Sequence, residues 1–186
     1  MLYTIDLKPG EGELPEDSFD VKPPEGGIEV SSVPEMFSAE GGRMADFTLP
    51  SLTEGKEISL SDYKGQVVFV DFFATWCGPC RAELPKLQEL YEKYKDKGFT
   101  VIAVDVNESR ETVEPFVENM RMTMPVAMDL DGSLMRAGGF RSFPTLVVLD
   151  KNHIVQNVHQ GYRPGMEKQL AEEIELLLEE KTGGKD

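Results

Sequence analysis

The stretch "FFATWCGPCRAEL", Phe72 to Leu84, holds both cysteines of a 186-residue chain. Cys77 and Cys80 stand three apart. An apolar run, "QVVFVDFFA", comes just before them, and a helical pattern, "AELPKLQELYEKYKDKG", comes just after. A continuous run of strand formers suits a central strand covered on both faces. Leu84, Leu87, Leu90, Tyr91 and Tyr94 recur at helical spacing, with Gly98 as a C-terminal stop and Pro85 predicting a kink. The cysteines therefore sit at a strand-to-helix junction. Unpaired backbone N–H groups and the helix dipole there favour a thiolate, which is the nucleophilic form of cysteine. One helical turn separates the two, so Cys80 can reach a mixed disulfide formed at Cys77 and release the partner. Gly78 permits a tight turn, and Pro79 falls where a missing N–H costs little.

Two other readings compete. A C-x-x-C pair is half of a zinc site, but the chain has only His153 and His159 to complete it, six residues apart and without the usual ligand spacing. Two inert core cysteines would not call for Trp76 and a Gly-Pro insert at this junction.

Further along, "FTVIAVDV" reads as a second buried strand and "RETVEPFVENMRM" as a helix, with Pro115 in its early turns. "PVAMD" is a short strand and "DGSLMRAGGF" a turn with a short helix. "TLVVLD" and "IVQNVHQG" make a hairpin about Asp150–Asn152, and "GMEKQLAEEIELLLEE" is the last helix. The order β-α-β-α-β-α-β-β-α predicts an α/β sandwich with a mostly parallel sheet and an antiparallel edge. Ahead of it, "ADFTLPSLTEGKEISLSDYKG" reads as a small hairpin. Residues 1–44 differ: five prolines and ten acidic against three basic residues mark an acidic Pro/Gly-rich extension or linker, with "YTIDL" as a candidate strand. Residues 45–181 form the domain, and 182–186 a disordered tail.

Net charge is −15 and the pI about 4.6. Such a surface repels nucleic-acid phosphates and anionic lipid headgroups, so no nucleic acid is expected as a partner. Two cysteines make no disulfide scaffold. No stretch approaches the ~20 apolar residues of a membrane span, and no signal peptide is visible, so a cytoplasmic location stays open. "NES" (Asn107–Ser109) and "DLDG" (Asp129–Gly132) read as turns rather than as a glycosylation or calcium site. Phosphate-cradling glycine motifs are absent, so no nucleotide cofactor is expected beyond the dithiol itself.

"WCGPC", after an apolar strand and before a helix with a proline five residues past the second cysteine, resembles the thioredoxin superfamily. The resemblance covers about residues 45–180. It includes Asp71, where thioredoxins carry a buried acid, "FPT" (Phe143–Thr145), where they carry a cis-proline, and Gly161 ahead of the last helix. "ESRETVEPFVENMRMTMPVAMD" adds a helix and a strand, and "FTLPSLTEGKEISLSDYKGQ" resembles the entry of the redoxin branch. Together they are similar to the TlpA/ResA type of extracytoplasmic thiol-disulfide oxidoreductase. Peroxiredoxins share the lead-in but not the Trp-Cys-Gly-Pro-Cys motif.

The resemblance implies a three-layer thioredoxin fold with a central mixed sheet. It makes Cys77 the nucleophile, Cys80 the resolving thiol and Asp71 the acid that takes the Cys80 proton. It puts Trp76, Gly78, Pro79, Phe143 and Pro144 on the substrate-facing surface, and gives Glu108 a part in tuning thiol titration. One departure concerns Asp71: thioredoxin pairs this acid with a lysine on the next strand, where this chain has Ala103 and Val104. The expected activity is reduction of protein disulfides, with apocytochrome c thiols among the substrates and a membrane thiol reductant as donor. The expected state is a monomer in an extracytoplasmic compartment. Competing functions are a general thioredoxin-like reductase, a thiol peroxidase, or a binding module whose C-x-x-C is structural.

Overall fold

The computed structural model describes residues 41–180. The candidate strand at Tyr3–Leu7, the acidic segment to residue 40, and the tail from 182 lie outside the described residues. Residues 41–44 run beside the sheet edge: Gly41 N–H donates to the Val155 carbonyl, and Met44 N–H to that of His153.

The chain forms β1 (Thr48–Pro50), β2 (Glu57–Ser59), β3 (Val67–Phe73), α1 (Gly78–Tyr94), β4 (Phe99–Val106), α2 (Arg110–Met120), β5 (Val126–Asp129), α3 (Ser133–Ala137), β6 (Thr145–Leu149), β7 (Val155–Gln160) and α4 (Met166–Glu179). β1 and β2 pair as the expected antiparallel hairpin. The main sheet has the order β5-β4-β3-β6-β7, which puts β3 at its centre. All seven residues of β3 and all eight of β4 are buried, as their unbroken apolar runs require.

Alternation along β3 sorts its side chains between two cores. Phe69 and Phe73 join Val101 and Ala103 of β4 beneath α1, α2 and α4. Val68, Val70 and Phe72 join Ile102 and Val104 on the other face, under α3 and the β1–β2 hairpin. The result is three layers. α1 continues through Pro85, so that proline does not end the helix, and Gly98 closes the segment in a left-handed conformation, φ 89°.

The sheet is evenly mixed rather than mostly parallel. β3 pairs parallel with β4 and β4 with β5, but β6 runs antiparallel to both β3 and β7. The connection explains this. A parallel return must carry the chain back along the sheet, and α3 has only five residues, a rise of about 7.5 Å. The chain therefore re-enters at the end where β5 stopped, with Thr145 beside Phe72 near the C-terminal end of β3.

Phe69 packs edge-on to Phe99 with ring centroids 4.9 Å apart, in the middle of the core under α1. Truncating it should leave a cavity that the surrounding strands cannot close. Phe69→Ala is expected to lower the unfolding free energy by about 3–5 kcal/mol in urea titration. A loss under about 1 kcal/mol would contradict this packing.

Candidate active site

β3 ends at Phe73, and the chain turns through Ala74–Trp76 into α1. Cys77 is the N-cap of that helix, and its sulfur accepts the Cys80 N–H at 3.2 Å. One of the helix's unpaired donors is thus aimed at the Cys77 sulfur, the arrangement that favours negative charge there. Pro79 falls in the first turn, where its missing N–H leaves no gap. The two cysteines form a disulfide, with Cα atoms 5.3 Å apart.

The two sulfur positions are unequal. Cys77 is 4% exposed and Cys80 is fully buried. Gly78 and Pro79 are exposed between them. Trp76 is 68% exposed, so it is not core packing. Its ring stands edge-on to Phe143, centroids 5.6 Å apart. Phe143 precedes a cis peptide to Pro144, whose carbonyl accepts the Gly161 N–H at 2.8 Å. Segments about 65 and 85 residues away in sequence are thereby brought to the dithiol. Beside Trp76, a groove of about 310 Å³ runs between Thr75, Arg81 and the α2 residues Thr112, Pro115 and Phe116. A larger groove of about 630 Å³, between the β1–β2 loop and α2, includes none of these dithiol residues.

Asp71 lies on the α1 side of β3, in line with Phe69 and Phe73, opposite Ala103 of β4 and Leu146 of β6. It is fully buried, and neither carboxylate oxygen has a hydrogen-bond partner. Glu83, one turn past Cys80 on α1, is likewise buried with both oxygens unpartnered. Burial pushes Asp71 up to about 8. Burial, and then the Asp71 charge, push Glu83 up to about 9. Both are therefore carboxylic acids at neutral pH. β4 presents Ala103 to Asp71 and no lysine, and the group that feels the Asp71 charge is a second acid, Glu83 of α1.

Glu108, in the loop after β4, reaches back to the segment before the dithiol. Its two oxygens accept the Thr75 N–H at 2.5 Å and the Thr75 hydroxyl at 2.7 Å. Arg81 Nε donates to the Thr75 carbonyl at 2.7 Å and its guanidinium lies 5.4 Å from the Phe116 ring centre. His153 and His159 are held elsewhere. His153 Nε2 meets the Tyr63 carbonyl, and His159 Nε2 pairs with Glu173 at 2.9 Å. "DLDG" is a turn in which Asp129 accepts the Leu134 and Met135 N–H groups at the start of α3.

All nine residues singled out in the sequence belong to this region or to the strands that carry it. Glu83 and Asp105 were not singled out. Glu83 carries a signal in hindsight: it follows Cys80 by three, beside the Cys80–Leu84–Leu87 stripe, so it cannot reach solvent.

The comparisons agree with this geometry. The model of the Redoxin family matches residues 39–174. The thiol-disulfide oxidoreductase ResA of Geobacillus thermodenitrificans is 39% identical over 123 residues, 66% of this chain and 70% of that protein. ResA of Bacillus thuringiensis subsp. konkukian is 37% identical over 142 residues, 76% and 78% of the two chains. A crystal structure assigned to a thiol:disulfide interchange protein DsbE of Chlorobium tepidum superposes with a TM-score of 0.72 at 34% identity, covering 76% of this chain and 99% of that one.

The buried acids make a stability prediction. Folded Asp71 keeps its proton to about pH 8, whereas an unfolded aspartate loses it near 4. The folded state thus holds more protons between these values, and stability falls as pH rises through that window. Asp71→Asn should remove the Asp71 share of the effect, leaving that of the other buried acids, and raise stability at pH 8 by about 2–5 kcal/mol, with the gain shrinking toward pH 4. Urea midpoints of the oxidised protein would show it; equal midpoints at pH 8 would contradict it.

Proposed function

Because the chain belongs to the redoxin family and is a thiol-disulfide oxidoreductase similar to ResA, we propose that it works in the reducing direction on protein disulfides. One observation carries this reading: Cys77 caps the helix N-terminus and keeps 4% of its surface exposed, while Cys80, one turn in, keeps none. Only Cys77 can meet a disulfide on another protein. In the reduced protein the Cys77 thiolate attacks a substrate sulfur, forming a mixed disulfide and expelling the other substrate sulfur, which takes up a proton. In molecules whose Asp71 is ionised, Cys80 gives its proton to that carboxylate and attacks the Cys77 sulfur, and the proton then passes to the departing substrate sulfur. The second substrate thiol leaves, and the Cys77–Cys80 disulfide remains. Two electrons have passed to the substrate. A carboxyl with a pKa of about 8 suits proton exchange with a thiol, whose own pKa lies in that range.

Support for the reducing direction comes from the two residues between the cysteines. The Gly78-Pro79 pair resembles that of reducing thioredoxins and agrees with this. Trp76, Phe143 and Pro144 would line the substrate surface, and the dithiol itself would be the only redox group. An upstream thiol reductant, held in a membrane, would reset the disulfide. Apocytochrome c thiols in an extracytoplasmic compartment are the substrate that the ResA likeness suggests. Within the described residues no helix is long and apolar enough to cross a membrane.

The reduction potential tests the direction. Equilibration with glutathione or dithiothreitol should give a value nearer ~−270 mV than ~−120 mV, and one above about −180 mV would overturn it. Roles are tested separately. Cys77→Ser should abolish insulin reduction, and Cys80→Ser should accumulate mixed disulfides at Cys77. Turnover by the Cys77→Ser variant would refute the assignment of the nucleophile.

A further inference from the structure

A third buried acid stands near the dithiol, and the reaction above does not use it. Asp105 lies at the end of β4, in register with Phe73, the last residue of β3. Alternation along β4 puts it on the same face as Val101 and Ala103, and therefore on the face that carries Asp71. It is fully buried, and neither of its oxygens makes a hydrogen bond of ordinary geometry. Its titratable neighbours are Glu108, in the following loop, and Asp129, at the end of β5. Both are acidic, so among the described residues the charges that act on Asp105 are negative. The Glu108 carboxylate already spends one oxygen on the Thr75 N–H and the other on the Thr75 hydroxyl. With Arg81 on its carbonyl, every polar group of Thr75 is held, and Thr75 is two residues from Cys77.

We propose that Asp105 is a positioning residue: as a neutral acid behind Glu108 it leaves that carboxylate on Thr75, and once ionised it repels Glu108 and loosens the Thr75–Cys77 segment. Burial first, and then the Glu108 charge, push Asp105 up to about 8, while the Glu108 backbone N–H pulls the other way. The neutral form is therefore the one present at pH 7. The contact is complete below about pH 7 and weakens as pH rises through 8, so the setting of the nucleophile becomes sensitive to alkaline pH. Like charges in a buried site interact more strongly than in water, which gives the switch its force.

The Thr75 amide is a direct reporter. In the oxidised full-length protein neither cysteine titrates, so the ¹H–¹⁵N shift of Thr75 can be followed from pH 6 to 10 without interference from thiols. Wild type should show an inflexion near pH 8. Asp105→Asn, which has the shape of the neutral acid, should abolish it, and Asp71→Asn should leave it in place. Glu108→Gln provides a second variant: with the repelled charge gone, ionised Asp105 no longer pushes residue 108 off Thr75, and the inflexion should shrink or vanish. A Thr75 amide that is flat in wild type, an inflexion that survives Asp105→Asn, or one that Glu108→Gln leaves at full size would overturn the proposal.

Coupling to the dithiol is read in the reduced protein. The ratio of Cys77 alkylation rates, Asp105→Asn over wild type, should change at least threefold between pH 6.5 and 9.5. A constant ratio would overturn that coupling. The shift titration does not depend on turnover. Failure of this proposal would therefore leave the oxidoreductase reading intact, and loss of that reading would not alter the titration.

Discussion

Asp71 and Glu83 lie close together on the face of the sheet that α1 covers, each buried and each without a hydrogen-bond partner. An ionised carboxylate in such a place is costly, so both groups keep their protons at neutral pH. The rest of the site is organised around this constraint. Cys80 shares the same buried layer, and Cys77 stands one turn away at the mouth of the helix.

The fold supplies that burial without special devices. β3 is central, so a side chain on either of its faces is covered. The position of Asp71, two residues from Phe69 and Phe73, puts it among aromatic rings. α1 begins where β3 ends, which brings Cys77, Cys80 and Glu83 over the same face. The antiparallel entry of β6 brings Phe143 and Pro144 to the same end of the sheet. A parallel β6 would have delivered that loop to the opposite end, away from Trp76. The mixed topology and the Trp76–Phe143 contact therefore have a single cause, the short α3 connection.

Much of this was legible in the sequence. The strand before the cysteines and the helix after them follow from unbroken apolar runs and a helical stripe. Asp71 announced itself as a charge inside "VVFVDFFA". Pro144 was found by its likeness to a known position rather than by any local pattern. What was missed has a common reason. Glu83 sits in a helix with many acids, and exposed glutamates such as Glu89 and Glu92 look the same in a single sequence. Only the neighbours across the sheet distinguish it. Asp105 was passed over inside "VIAVDV", although alternation with Val101 and Ala103 points it inward as surely as Asp71. The direction of β6 depends on the length of the path through α3, and composition does not reveal that.

The protonation of the two acids is where the account is most exposed. Carboxyl ¹³C titration of Asp71 and Glu83 in the oxidised protein, each assigned by its amide variant, measures it directly. The account predicts that both carboxyls are protonated at pH 7 and that neither ionises appreciably below it. Two carboxylates already ionised at pH 6 would contradict it, and with it the claim that burial keeps both acids neutral.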